Sequence, residues 1–252
     1  MGNNATPGLE HNDPPSLSER IDQMPWDAMT DSLDTWGCAV LPKVFTPAEC
    51  QSLAALYPQA APGDTFRSHI HMARHGFGRG EYKYFSYPLP PQIAELRTCL
   101  YAHLAPIANR WSASLREQVS YPQDLAAFLD ICHAAGQTRP TPLLLQYVEG
   151  DFNALHQDLY GDHVFPFQVA FLLSKPGEDF IGGEFVLTEQ RPRMQSRAEV
   201  VALEQGDAVI FAVRHRPVMG SKGFYRVNLK HGVSRIRSGR RHTMGIIFHD
   251  AT

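Results

Sequence analysis

The sequence predicts an α+β fold: a double-stranded β-helix (jelly roll) with N-terminal helices packed on one sheet. Helix-capping signals and 3.6-residue periodicity dominate the first part of the chain, up to about residue 142. From Leu143 onward, short apolar runs separated by glycine turns continue to the end, as expected of a two-sheet β structure. With 252 residues, 43% hydrophobic and 19% charged, the chain can bury one sizeable core.

Residues 1–15 are polar, with Pro, Asn and Gly, and are expected to form a disordered N-terminus without the basic start and apolar run of a secretory signal. Residues 16–252 are read as one domain. Within it, 16–142 give mainly helical support and 143–250 the jelly roll. No apolar run is long enough to span a bilayer, so no membrane partner is expected. Cys38, Cys50, Cys99 and Cys132 are scattered, which points to reduced thiols and a cytoplasmic location.

Ser16-Leu17-Ser18-Glu19 has capping-box spacing and opens a helix with Ile21, Met24, Met29, Leu33 and Trp36 near one face, stopped by Gly37. Cys38–Leu41 is a short strand. Thr46-Pro47-Ala48-Glu49 caps a second helix carrying Leu53, Leu56 and Tyr57. Residues 58–65 form a Pro/Ala/Gly loop. Two apolar stripes, Ile93/Leu96/Leu100/Leu104 and Leu125/Phe128/Leu129/Cys132, make 92–135 helical. Strands are then expected at 143–149, 154–158, 166–174, 183–188, 198–203, 208–213, 225–233 and 241–249.

Residues 66–91 differ from their surroundings. Arg67, Arg74, Arg79 and Lys83 alternate there with Phe77, Tyr82, Tyr84 and other aromatics, around glycines 76, 78 and 80. Such a mixture suits a phosphate backbone with stacked bases, and Arg74, Phe77, Arg79, Tyr82 and Tyr84 are the candidate substrate residues. A β-hairpin whose aromatics pack on the core fits the same pattern. Charge is also uneven: residues 191–252 hold 12 Lys+Arg against 4 Asp+Glu, whereas 1–190 hold 11 against 22. That asymmetry suits an acidic partner, although arginines solvating an exposed sheet face would produce it too.

The chemistry concentrates at His156-Gln157-Asp158. Residues two apart on an extended chain share a face, so His156 and Asp158 can meet one ion. A 2-His-1-carboxylate set leaves coordination positions open on a non-heme iron and needs a distant second histidine. His231, on the alternating strand at 225–233, is the candidate. Arginines 235, 237, 240 and 241 follow it and could clamp a carboxylate. His69 and His71 also share a face but have no carboxylate at matching spacing, so no second metal site is expected. His163, His215, His242 and His249 are read as surface or hydrogen-bonded residues.

LQYVEGDFNALHQD resembles the start of the catalytic core in 2-oxoglutarate/Fe(II)-dependent dioxygenases, particularly the AlkB-type nucleic-acid demethylases. Gly182-Gly183-Glu184, Gly206-Asp207 and the closing strand from Arg241 resemble prolyl-hydroxylase-like members as well. The whole chain is similar to a bacterial oxygenase family acting on alkylated DNA. The resemblance implies His156, Asp158 and His231 as iron ligands and as the catalytic set. It also implies 2-oxoglutarate held by Arg241 near Tyr147, O2 as co-substrate, and oxidative demethylation of alkylated DNA bases as the repair reaction. Residues 66–91 then become a substrate loop. AlkB-type enzymes carry a second arginine on the last strand, where this chain has an aliphatic residue near Ile247. Arg241 thus acts alone or with Arg237 or Arg240. Their nucleotide-recognition lid is not recognisable. Two further readings stand beside this one: a hydroxylase of a small molecule or protein side chain using the same cofactors, and a non-catalytic cupin-like binding protein.

Overall fold

The computed structural model describes residues 15–59 and 65–252. The segment read as a disordered N-terminus (1–15) and the loop at 58–65 therefore lie largely outside the described residues.

Helix α1 (Leu17–Asp22) starts at the expected capping box, with Ser16 and Glu19 each satisfying the other's backbone N–H. The single helix expected here is two, α1 and α2 (Trp26–Trp36), because Pro25 offers no N–H to continue the first and stands, at a non-helical ψ of 74°, as the N-cap of the second. Gly37, at φ 80°, closes α2 in the left-handed conformation. β1 (Cys38–Leu41) follows, then α3 (Pro47–Ala54) behind the Thr46/Glu49 capping box, and α4 (Leu56–Gln59).

The 66–91 stretch is largely a β-ribbon. β2 (Phe66–His71) pairs with β4 (Glu81–Phe85) around a 3-10 turn at Met72–Arg74 and the two-residue strand β3 (Gly78–Arg79). Two helices come next, the 24-residue α5 (Pro91–Ser114) and α6 (Leu125–Ala134).

The remaining strands are β5 (Leu143–Val148), β6 (Phe152–His156), β7 (Phe167–Leu172), β8 (Phe180–Gly182), β9 (Phe185–Gln190), β10 (Arg197–Val201), β11 (Ala208–Ala212), β12 (His215–Gly220), β13 (Gly223–Val233) and β14 (Ile236–Ile247). Two were not expected. β8 is three residues long, and β12 contains Pro217. A proline is tolerated there because β12 pairs on one side only, with β13, and no ladder bond is lost on the other. β14 starts five residues earlier than expected, at Ile236, because its first part pairs with β8.

These strands form an eight-stranded sheet, β1-β11-β7-β14-β5-β4-β2 with β8 on β14, and a six-stranded sheet, β10-β9-β13-β6-β3 with β12 on β13. All named pairings are antiparallel. One face of the larger sheet meets the smaller sheet across a cavity, and the other is covered by helices, which is the jelly roll with helical backing that the sequence predicts. β11 is buried throughout for this reason. On the helical side, Trp111 of α5 packs on Phe167 with ring centroids 4.6 Å apart, and Tyr101 on Phe165 at 4.9 Å.

Arg97 locks α5 to the end of β14. Its buried guanidinium donates to the Ile247 and Phe248 carbonyls and, at 2.8 Å, to the Asp250 carboxylate. No described helix is long and apolar enough to cross a bilayer.

Candidate metal centre

Strand pairing brings the two histidines together. His156 ends β6 directly opposite His231 of β13, and their ring centroids are 4.2 Å apart. Asp158 lies just past the end of β6. One of its oxygens is 3.4 Å from His156 Nε2 and the other 3.4 Å from His231 Nε2. All three ligand atoms lie within 4.8 Å of one another. Donors held about 2.1 Å from one ion stand roughly 3 Å apart, so this set closes on a metal with small movements.

Surrounding groups fix which atoms face inward. His156 Nδ1 donates to the Ala154 carbonyl at 2.7 Å, which turns Nε2 toward Asp158. His231 is buried between Phe211 and Phe185, whose ring centroids are 4.5 and 6.1 Å away. Burial dominates at His231 and holds its pKa below the ordinary value despite Asp158, so a neutral, ligand-ready imidazole is favoured. Burial also pushes His156 down, but Asp158 reverses this and leaves it raised. At Asp158, burial favours the neutral acid, yet hydrogen bonds and charge from both histidines outweigh it and hold the carboxyl well below its usual range. The set suits a divalent ion.

These residues line a cavity of about 240 Å³ between the sheets. Arg241 lines it too, facing Tyr147 across the β14–β5 pairing. The guanidinium carbon sits 5.7 Å from the Tyr147 ring centroid and 5.8 Å from that of Phe180. It is buried, its Nε makes no hydrogen bond, and Nη1 reaches only Thr243 at 3.4 Å. The Tyr147 hydroxyl is likewise buried without a hydrogen bond. Burial lowers the Arg241 pKa to about 10, so the side chain remains a cation at neutral pH. A buried cation beside an unpaired hydroxyl in this cavity fits a carboxylate. Arg237 and Arg240 are exposed, which leaves Arg241 as the buried arginine of the cluster.

Of the substrate candidates, Phe77, Tyr82 and Tyr84 line the cavity. Arg74 and Arg79 do not: both are exposed, and Arg79 turns toward Asp151 at 3.7 Å. His249 is fully buried, with Nδ1 accepting from Phe165 N–H.

Tyr160 was missed by sequence reasoning. Its hydroxyl donates to Asp158 at 2.8 Å, and burial followed by the Asp158 charge raises its pKa, keeping it a donor. The period that links His156 to Asp158 extends two residues further to Tyr160, and that was the available signal. Gly183 was singled out only as part of a motif. At the left-handed φ of 67°, a Cβ there would stand 2.9 Å from Arg241 Cδ and 2.3 Å from Ile236 Cδ1, so any side chain would crowd the arginine.

Residues 80–251 match a family described as an oxygenase catalysing oxidative methylation of damaged DNA. An uncharacterised protein of Mycobacterium tuberculosis (strain H37Rv) is 52% identical over 167 residues, 66% of this chain and 72% of that protein. The fold is shared with a prolyl hydroxylase from Trichoplax adhaerens, solved with a hypoxia-inducible-factor peptide. That likeness has a TM-score of 0.58 at 12% identity and covers 93% of this chain and 92% of that one. A Pseudomonas putida prolyl-4-hydroxylase gives a TM-score of 0.53 at 14% identity, covering 90% and 99%. A 2-oxoglutarate/Fe(II) oxygenase-family oxidoreductase from Burkholderia pseudomallei gives 0.53 at 15%, covering 91% and 94%.

Proposed function

The chain belongs to the family of oxygenases described as catalysing oxidative methylation of damaged DNA, and from that premise we propose that it is a 2-oxoglutarate- and Fe(II)-dependent dioxygenase that oxidises alkyl groups on DNA bases. One observation carries the cofactor reading: the convergence of His156, Asp158 and His231 in a cavity shared with the buried Arg241.

In this reading His156, Asp158 and His231 would hold the iron, a 2-His-1-carboxylate set suited to non-heme Fe(II). Arg241 takes the far carboxylate of 2-oxoglutarate through charge-assisted hydrogen bonds, with Tyr147 beside it. The bound iron, with 2-oxoglutarate and O2, supplies the oxidising power, and succinate and CO2 leave as by-products. The protein's work is positioning and exclusion of water. Tyr160 holds Asp158 in place. Phe185 and Phe211 dry the His231 side of the cavity.

The family description supports damaged DNA as substrate. Phe77, Tyr82 and Tyr84 are aromatic surfaces on which a base turned out of the helix can stack. Arg74 and Arg79, exposed on the same ribbon, would meet phosphates in this reading and add salt-sensitive affinity. An N-methyl group becomes N-hydroxymethyl, which releases formaldehyde and restores the base N–H.

The test is anaerobic addition of Fe(II) and 2-oxoglutarate, read by the visible charge-transfer band, then turnover on methylated single-stranded DNA with succinate and formaldehyde measured together. Both are expected in wild type and neither in Asp158→Ala. Absence of the band in folded wild-type protein would sink the cofactor reading. Succinate formed with a peptide or small molecule, and none with DNA, would replace the substrate reading by the hydroxylase one.

A further inference from the structure

A second group of metal-ligand side chains lies outside the catalytic cavity, and the carboxylate that the sequence does not offer to His69 and His71 is present. In the β2–β4 ribbon His71 is the direct cross-strand partner of Glu81, and His69 lies two residues along the same face. His69 Nε2 is 2.8 Å from one Glu81 oxygen and His71 Nδ1 is 3.4 Å from the other. The imidazole centroids are 4.5 Å apart. All three ligand atoms fall within 4.8 Å of one another. The ligands of a tetrahedral zinc ion at about 2.1 Å stand roughly 3.4 Å apart, so tenths of an ångström to about 1.5 Å of side-chain movement would close the set.

We propose that His69, His71 and Glu81 form a second metal site, one that takes a divalent ion of the zinc class with solvent in the fourth position. Two nitrogen donors and one carboxylate match that ion's preference. The set has a supporting shell: the Tyr57 hydroxyl reaches the same Glu81 oxygen at 3.4 Å, and the Tyr57 ring stands edge-on to His69. Lys83, the next residue on that face, donates to the Tyr57 carbonyl at 2.7 Å and lies over the Tyr57 ring.

The location gives the ion a task. Side chains alternate across a strand, so Glu81 and Lys83 face one way while Tyr82 and Tyr84 face the catalytic cavity. β2 is the last strand of its sheet, held by β4 alone. An ion bridging β2 to β4 would pin the ribbon whose opposite side forms the aromatic wall of the cavity.

The experiment dialyses metal-free full-length protein against Zn(II) and counts ions per chain by mass spectrometry. Wild type is expected to hold two. His71→Ala and Glu81→Gln are expected to hold one, kept by the catalytic set. His231→Ala is expected to hold one, kept by the ribbon, and His71→Ala/His231→Ala none. Both ribbon side chains are partly exposed, so these variants should fold, with circular dichroism as the check. In the His231→Ala background Zn(II) should raise the melting temperature, and His71→Ala should abolish that rise. Unchanged stoichiometry in both His71→Ala and Glu81→Gln, or a wild type that binds one ion and loses it in His231→Ala, overturns the proposal. The latter result would leave the catalytic centre standing. A single ion kept in His231→Ala and lost in His71→Ala would support the ribbon site and count against the catalytic one.

Discussion

Arg241→Met is expected to move stability and co-substrate affinity in opposite directions. Arg241 is 3% exposed, its Nε is unpaired and its one hydrogen bond is a 3.4 Å contact from Nη1 to Thr243. Burial lowers its pKa from 12.5 to about 10, which at 1.36 kcal/mol per unit corresponds to roughly 3 kcal/mol of strain in the charged, ligand-free state. Methionine has similar length and adapts to irregular space, so the ligand-free variant should gain about 1–3 kcal/mol in urea unfolding. For a chain of this size that means a melting temperature higher by several degrees. Removing one partner of a buried charge pair costs about 2–5 kcal/mol in binding. The 2-oxoglutarate affinity should thus fall by about 30-fold or more, read from the anaerobic charge-transfer titration at fixed Fe(II). A purely structural arginine would give loss of both. That outcome, or an affinity within about threefold of wild type, would refute the assignment.

Three further outcomes are expected. Tyr160→Phe removes the 2.8 Å hydrogen bond to Asp158 and should weaken apparent Fe(II) affinity by about 10-fold with the fold intact; unchanged affinity would mean that the hydroxyl does not support the ligand. Arg97→Ala leaves the buried Asp250 carboxylate without its guanidinium, with the His133 ring and the Tyr87 hydroxyl still in contact, and should cost about 3–5 kcal/mol, or roughly 10 °C in melting temperature, by calorimetry. His249 is fully buried, and its pKa is pushed down from 6.5 to about 4, first by desolvation. Because the folded pKa lies below the unfolded one, this stability is intact above pH 6.5 and lost as pH falls toward 4, at about 1.4 kcal/mol per pH unit. Urea melts of His249→Asn should lack one proton's worth of that slope, and an unchanged slope would assign it elsewhere.

The strands of the jelly roll and the pairing of His156 with Asp158 were legible because both follow from a period of two, which a single segment displays. What a segment does not display is its register with another. Glu81 lies ten residues from His71, and nothing in the spacing connects them; only the β2–β4 pairing puts them opposite each other. The arginines and aromatics of 66–91 form one mixed patch in the sequence. In the folded ribbon Tyr82 and Tyr84 turn to the cavity and Arg74 and Arg79 to solvent. Arg97 stands beside an apolar helical stripe, where an arginine reads as a solvated flank. Its burial arises because the end of β14 presents carbonyls and Asp250 to that turn of α5.

The cavity's own polar groups bear on what it accepts. Among the described residues seven side-chain nitrogen or oxygen atoms are buried without a hydrogen bond, and those of Tyr147, Gln168, His231 and Arg241 belong to residues lining this one cavity. Folded chains leave few such atoms, because each costs about 1–3 kcal/mol, and chance would not gather them at one place. Three are a guanidinium nitrogen, a phenol hydroxyl and a carboxamide nitrogen, so the unmet capacity is mainly to donate. An anionic molecule with several acceptor oxygens satisfies that set; the edge of a neutral base, which mixes donors and acceptors, would leave part of it unmet. The donor-rich part of the cavity therefore suits a dicarboxylate. Under the proposed DNA reading, a base would be left the aromatic wall of Phe77, Tyr82 and Tyr84, where stacking makes no demand on hydrogen-bond pattern.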